Sequence, residues 1–194
     1  MRQVILDVET KKAFSEVGGH DLSRLGVSFV GVIEREEPFT DGRELRFFEK
    51  DLDDLWFVLE RADVVVGFNI AGFDFPVMAP YYAGEVSQFP VLDLLERIKE
   101  QAGHRVSLDA VAKKTLGVGK SGSGLDALKY YAEGRMEKLA DYCMDDVRIT
   151  RDIYDFGLKN KQVKFLNKWN RVIELPIDFE FKPGGESGVQ MTLA

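Results

Sequence analysis

Val4-Ile5-Leu6-Asp7-Val8-Glu9-Thr10 is the stretch from which the fold can be read. The apolar run of Val4, Ile5 and Leu6 predicts a strand buried on both faces, and it ends in two carboxylates one residue apart. Side chains alternate along a strand, so Asp7 and Glu9 project from the same face. Two negative groups fixed side by side at the end of a central strand repel and lose solvation unless a cation neutralises them, which makes a divalent metal site the first expectation. A helix cap or the start of a solvated loop would use the same residues. Further carboxylates converging on this strand end would decide between the two.

The chain has 194 residues, 45% of them hydrophobic, which suits one domain with a full core. No long apolar segment and no amino-terminal signal pattern is present, so the expectation is a soluble, cytoplasmic protein without a membrane partner. The single cysteine, Cys143, excludes an internal disulfide and a Cys-rich zinc site. A formal charge of -7 argues against a protein that coats nucleic acid with a basic face. It is compatible with a nuclease, whose clustered acids belong to that count and are offset locally by bound metal.

Working outward from the first strand, residues 11–25 are polar and Gly-rich and predict a loop beside the acids. Residues 25–33, LGVSFVGVI, predict a strand pairing with the first; 34–42 form the turn and 44–48 a third strand of an antiparallel meander. Helical spacing over 52–59 precedes another buried strand, 63–68, with three consecutive valines. Beyond Gly72 most of the chain predicts helix, apart from a short strand near Val91 and an alternating segment over 172–181 that reads as a final strand. The resulting class is α/β, with a central mixed sheet of five or six strands flanked by helices. The domain would span 1–181, followed by a flexible tail over 182–194 rich in Pro and Gly.

Two further carboxylates answer the first pair. Gly67-Phe68-Asn69-Ile70-Ala71-Gly72-Phe73-Asp74 follows the second buried strand and places Asp74 at the start of a helix predicted over 75–82. Asp74 is either an N-cap or a third metal ligand, since the ends of neighbouring parallel strands lie about 5 Å apart and acids after both share one crevice. In a helix predicted over 138–156, Asp141, Asp145, Arg148, Asp152 and Asp155 form a polar stripe assigned to solvent. The opposite stripe is Leu139, Tyr142, Cys143, Asp146, Ile149, Thr150 and Ile153, on which Asp146 is the only charge. A buried carboxylate needs a cation, either a metal or a Lys or Arg, and Tyr142 sits one turn earlier beside it.

Taken in order, Asp7-Val8-Glu9-Thr10, Gly67-Phe68-Asn69 with Phe73-Asp74, and Tyr142-Cys143-Met144-Asp145-Asp146-Val147 resemble the three exonuclease motifs of the DEDD 3′-to-5′ exonucleases, in the ribonuclease H-like superfamily. Tyr four residues before the last acid resembles the DEDDy branch, and residues 1–160 are similar to the proofreading domain of family B DNA polymerases, without polymerase sequence. The resemblance implies a ribonuclease H-like fold and two-metal phosphodiester hydrolysis with Mg2+ or Mn2+. It implies that Asp7 bridges both ions, that Glu9 and Asp146 hold the ion that activates water, that Asp74 supports the ion at the leaving oxygen, and that Tyr142 orients the water. Thr10, Asn69, Phe73 and Lys120 become candidate substrate contacts, Asn69 equally readable as a turn former and Lys120, in a loop over 117–124, equally as an ordinary solvated lysine. The implied substrate is the 3′ end of single-stranded or frayed DNA, with RNA as the alternative and a non-catalytic nucleic-acid or clamp-binding adaptor as the competing class.

Other features weigh less. Gly119-Lys120-Ser121 is not a P-loop, because the first glycine of that motif would fall at Lys114. His20 and His104 have no partner spacing, Asp93 is better read as a cap, and Phe14, Phe68, Phe73 and Tyr82 are either core or stacking residues. Lys159, Lys161, Lys164, Lys168 and Arg171 form the one basic run, a solvated face or a track for a phosphate backbone. Gln190, Met191, Thr192 and Leu193 resemble the short peptide by which bacterial replication and repair proteins bind the sliding clamp, with Ala194 where a large hydrophobic residue is usual.

Overall fold

Val4, Ile5 and Leu6 are each 1% exposed or less, and the strand that carries them lies at the centre of the molecule. The computed structural model describes residues 1–119 and 122–182; Lys120, the tail from 183 onward and the clamp-like peptide lie outside the described residues. Five strands form one sheet in the order β3-β2-β1-β4-β5. In it, β1 (Gln3–Thr10), β2 (Val27–Arg35) and β3 (Arg43–Phe48) are an antiparallel meander, while β4 (Val64–Gly67) and β5 (Val91–Asp93) run parallel to β1. The helices, in chain order, are α1 (Phe14–Val17), α2 (Leu52–Leu59), α3 (Phe75–Met78), α4 (Leu94–Ala102), α5 (Leu108–Thr115), α6 (Gly124–Ala132) and α7 (Met136–Asn160).

Alternation along β1 divides the core. Val4, Leu6 and Val8 pack with Leu55 and Leu59 of α2 and with Val77 and Met78 of α3. Ile5 points to the other face, where Leu139, Cys143, Met144 and Val147 of α7 lie. Each such side chain contributes about 1.5–3 kcal/mol by leaving water. Asp7 and Glu9 share the parity of Ile5, so the strand that fills the core also delivers both acids to the face covered by α7.

Gly31 sets how closely α7 approaches. It pairs with Asp7 across β1 and β2. A Cβ there would lie 2.9 Å from Met144 Sδ, 3.0 Å from Val147 Cγ2 and 3.2 Å from Cys143 Sγ. Any side chain at this position forces the helix outward, away from the strand that bears the acids.

Several expectations are corrected. Residues 11–25 are not all loop: they contain the single turn α1 and a 3-10 turn at Leu22–Arg24, and an ion pair between Lys11 and Glu49 ties them down. The helix expected over 75–82 is only α3 followed by a 3-10 turn at Ala79–Tyr81, Pro80 lacking the N–H that regular bonding back to Pro76 would need. The helix expected over 138–156 extends to Met136–Asn160. The last strand does not join the central sheet; β7 (Val172–Pro176) pairs with β6 (Gln162–Leu166), a strand that the alternation of lysines with Val163 and Phe165 concealed. Their shared apolar face is covered by α5 and α7, so the pair has no need of a sheet edge.

The charged stripe of α7 is not simply solvated. Asp141 accepts from Arg46 at 2.9 Å, and Arg148 pairs with Glu44 at 2.6 Å, fastening the helix to β3. The Arg148 guanidinium holds the Glu44 carboxyl below its ordinary pKa. Asp155 takes a two-pronged bond from Arg35, whose side chain is 1% exposed.

Candidate active site

Asp7, Glu9 and Thr10 of β1, Asn69, Phe73 and Asp74 of the segment after β4, and Tyr142 and Asp146 of α7 line one groove of about 440 Å3. The wall is completed by Phe68, Lys12, Ala13, Phe14 and, from the start of α6, Ser123, Gly124 and Leu125. Eight of the nine residues expected to form the site from sequence therefore lie together, and the ninth, Lys120, is outside the described residues. Tyr82 is not among them: its half-buried ring packs on Trp56 at 4.6 Å and on Phe89 at 5.2 Å, against the edge of the core.

The path from β4 to Asp74 explains how the third acid arrives. Gly67 ends the strand, Asn69 takes a left-handed conformation with φ 75, and Ile70–Asp74 forms a wide π-type turn. A Cβ at Gly72 would lie 2.7 Å from Asn69 Oδ1, so a side chain there must displace the Asn69 amide. Asp93, at the end of β5, clamps the same turn: its carboxylate accepts from the N–H groups of Asn69 at 2.9 Å and Ala71 at 3.1 Å while capping α4 through Leu95 at 3.0 Å. Burial pushes the Asp93 carboxyl up, and these four backbone donors, counting Glu96, pull it back.

Asp74 caps nothing. Its Oδ1 instead accepts from the Val8 N–H at 3.0 Å, reaching across to β1 between Asp7 and Glu9. Burial, and after it the charge of Asp7, pushes the Asp74 carboxyl well above the usual carboxylate range. A group whose folded pKa is raised stabilises the fold below its unfolded pKa and loses that contribution as pH rises through the folded value. Asp74→Asn keeps the acceptor for Val8 and removes the charge. In EDTA at pH 8 it is expected to melt above the wild type, with the gap closing as the pH falls toward about 4. Calorimetry across that pH range checks this; a lower melting temperature at pH 8 would contradict it.

On α7, Tyr142 is 5% exposed and Asp146 2%. The Tyr142 hydroxyl bonds to Asp146 one turn on, and burial together with the charges of Asp146, Glu9 and Asp7 pushes it far above the ordinary tyrosine range, so it stays a proton donor. Cys143 Sγ lies 3.3 Å from the Asp7 carbonyl and 3.6 Å from Asp7 Oδ2. Burial raises this thiol well above its usual range, which makes it a protonated donor to Asp7.

The donor set fits hard divalent cations. Donor atoms of Asp7, Glu9 and Cys143 lie within 4.8 Å of one another, close enough for one ion, and Asp74 and Asp146 line the same groove. The carboxylate oxygens of Asp7, Glu9, Asp74 and Asp146 suit ions of the magnesium and manganese type.

Sequence reasoning missed Cys143 as a partner of Asp7, and it missed Arg105. The Arg105 guanidinium donates to Asn69 Oδ1 at 2.7 Å and places a cation on the turn that lines the groove. Neither had a signal in spacing alone.

A family model described as the RNase_H superfamily matches residues 4–156. Among solved structures, the family B DNA polymerase from the hyperthermophilic archaeon Pyrobaculum calidifontis superposes with a TM-score of 0.60 at 23% identity, over 81% of this chain and 24% of the polymerase. The zinc ion bound ExoI-ssDNA complex from E. coli superposes with a TM-score of 0.49 at 14% identity, over 82% of this chain and 41% of that one. The chain thus spans about a quarter of the first and two fifths of the second, and the likeness to the polymerase speaks to the fold alone. No curated protein matches the sequence.

Proposed function

The chain belongs to the RNase_H superfamily, and from that premise we propose that it is a 3′-to-5′ exonuclease acting on single-stranded or frayed DNA. The observation that carries this reading is the convergence of Asp7, Glu9, Asp74, Asp146 and Tyr142 in one groove, from three separate segments of chain. Four carboxylates in one crevice are unfavourable without cations, and phosphodiester hydrolysis is the chemistry that uses such a cluster.

Two divalent cations, Mg2+ or Mn2+, held by Asp7, Glu9, Asp74 and Asp146, would neutralise charge on the attacking and leaving oxygens when bound. The residues do the rest. Asp7 stands centrally, its position fixed by the Cys143 thiol. Asp74 is held by Val8 and, through the Asp93 clamp on its turn, by β5. Tyr142, kept protonated, orients a water with its hydroxyl while Asp146 anchors that hydroxyl. The half-buried Phe73 and exposed Phe14, with rings 6.5 Å apart, and Leu125 give the groove an apolar wall against which a terminal base can lie.

The test uses a 5′-labelled single-stranded DNA and its RNA counterpart, each with Mn2+, Mg2+ or EDTA. Faster shortening of DNA in either metal, and none in EDTA, is the expected result. Faster shortening of RNA would replace DNA by RNA as substrate, and binding of both without cleavage would favour the adaptor.

A further inference from the structure

The basic run at the end of the chain folds into something more specific than a charged face. Lys161 pairs with Glu180 and with Asp178, and Lys164 pairs with Glu174 at 2.6 Å. Among the described residues, Lys168 and Arg171 have no acidic partner, and the segment 162–173 contains no acid at all. In a chain of net charge -7, this is a local cationic island.

Between those two cations stands Trp169, 69% exposed at the tip of the hairpin formed by β6 and β7. The turn is held by its own bonds. Asn167 Oδ1 accepts from the N–H groups of Trp169 at 3.0 Å and Arg171 at 3.1 Å, and Asn170, with φ 59, donates to the Asn167 carbonyl at 2.9 Å. Lys168 Nζ lies 4.5 Å from the centre of the Trp169 ring. The hairpin is also fixed to the body: Thr115 Oγ1 donates to the Lys164 carbonyl at 2.9 Å and accepts from its N–H at 2.8 Å. Thr115 ends α5, and the chain reaches the groove wall again at Ser123, Gly124 and Leu125.

An exposed tryptophan on a fixed turn, between two unpaired cations and without a neighbouring acid, has the complement of a base flanked by phosphates. We propose that the hairpin tip is a second contact for single-stranded nucleic acid: Trp169 stacks on a base while Lys168 and Arg171 meet the flanking phosphates. This rests on the reading that the groove takes a nucleic-acid end. A protein partner would use the aromatic residue but has no call for two unpaired cations beside it.

The test measures binding of a fluorescein-labelled dT20 to the full chain in EDTA, where hydrolysis stops, for the wild type, Trp169→Ala and the double variant Lys168→Ala with Arg171→Ala. These side chains are surface groups, and melting curves confirm that the variants fold. Affinity is expected to fall about tenfold in each. The double variant should also lower the slope of log affinity against log salt by about 1.4, the value for two phosphate contacts on a single strand. Because Trp56 is buried, quenching of the tryptophan emission by dT20 reports Trp169 directly. With Mn2+, KM for dT20 rises in the variants while kcat holds. Unchanged affinity in both variants, with no quenching, would overturn the hairpin site, whether or not the wild type hydrolyses DNA, and would point to a protein partner. Quenching and weakened binding in a chain that hydrolyses nothing would uphold the hairpin site and sink the exonuclease reading.

Discussion

Asp146→Ala is expected to lower phosphodiester hydrolysis by at least about a thousandfold while leaving the fold intact, because removing one carboxylate of the proposed two-metal clamp would forfeit several kcal/mol of transition-state stabilisation. Asp146 sits inside α7, where alanine is the best helix former, so the helix itself is not weakened. The Tyr142 hydroxyl loses its anchor in the same substitution, so on the proposed mechanism water orientation and metal binding would fail together. The neighbouring Asp145→Ala is the control: that side chain turns about 100° around the helix and pairs with Arg148 at 2.8 Å. It is expected to keep full activity. Equal loss in both variants, or full activity in Asp146→Ala, would contradict the assignment; initial rates with Mn2+ on single-stranded DNA and melting curves are the measurements.

The largest effect on stability is expected at the other end of the sheet. Arg35 is buried at the end of β2 and donates to both Asp155 oxygens at 2.6 and 2.8 Å, to Gln3 Oε1 at 2.8 Å and to the Thr40 carbonyl at 3.1 Å. Its guanidinium also lies 5.7 Å from the centre of the Tyr154 ring. The Tyr154 hydroxyl is pushed up to about 12, by burial above all, so that ring stays neutral throughout the working pH range. Removing the cation leaves Asp155, 18% exposed, without compensation. Arg35→Ala should cost about 3–5 kcal/mol, a drop of roughly 10 °C in Tm for a chain of this size. Arg35→Met combined with Asp155→Leu should recover most of that loss, because an apolar pair of similar volume avoids the desolvation of both charges. Arg35 pairs with Gln3, far along β1 from Asp7, so hydrolysis below the lowered Tm should be unchanged. Urea midpoints for the single and double variants decide it; a loss under about 1 kcal/mol in Arg35→Ala would show that the network is not the fastener described here.

These two residues illustrate what the sequence discloses. Asp146 stood out because a single charge on an apolar helical stripe breaks a periodic pattern, and Asp7 with Glu9 stood out because strand parity puts both on one face. The buried apolar runs likewise marked β1, β2 and β4. Arg35 had no such mark: it follows an apolar strand as any solvated residue would, and its burial depends on Asp155, 120 residues away. Asp74 was found but given a cap as its alternative, because the π-type turn that aims it at Val8 leaves no period to read. Gly31 and Gly72 matter through what would collide with a side chain, which only packing reveals. The hairpin of β6 and β7 was hidden because lysines alternate with its buried residues and the segment read as charge first and strand second.

The central claim is hydrolysis from the 3′ end at the acid cluster, and the most direct test compares one DNA strand labelled at its 5′ end with the same strand labelled at its 3′ end, in Mn2+, for the wild type and Asp7→Ala. The account predicts a descending ladder from the 5′ label and a labelled mononucleotide as the first product from the 3′ label, with neither in Asp7→Ala. A ladder from the 3′ label, or products that persist in Asp7→Ala, would contradict it.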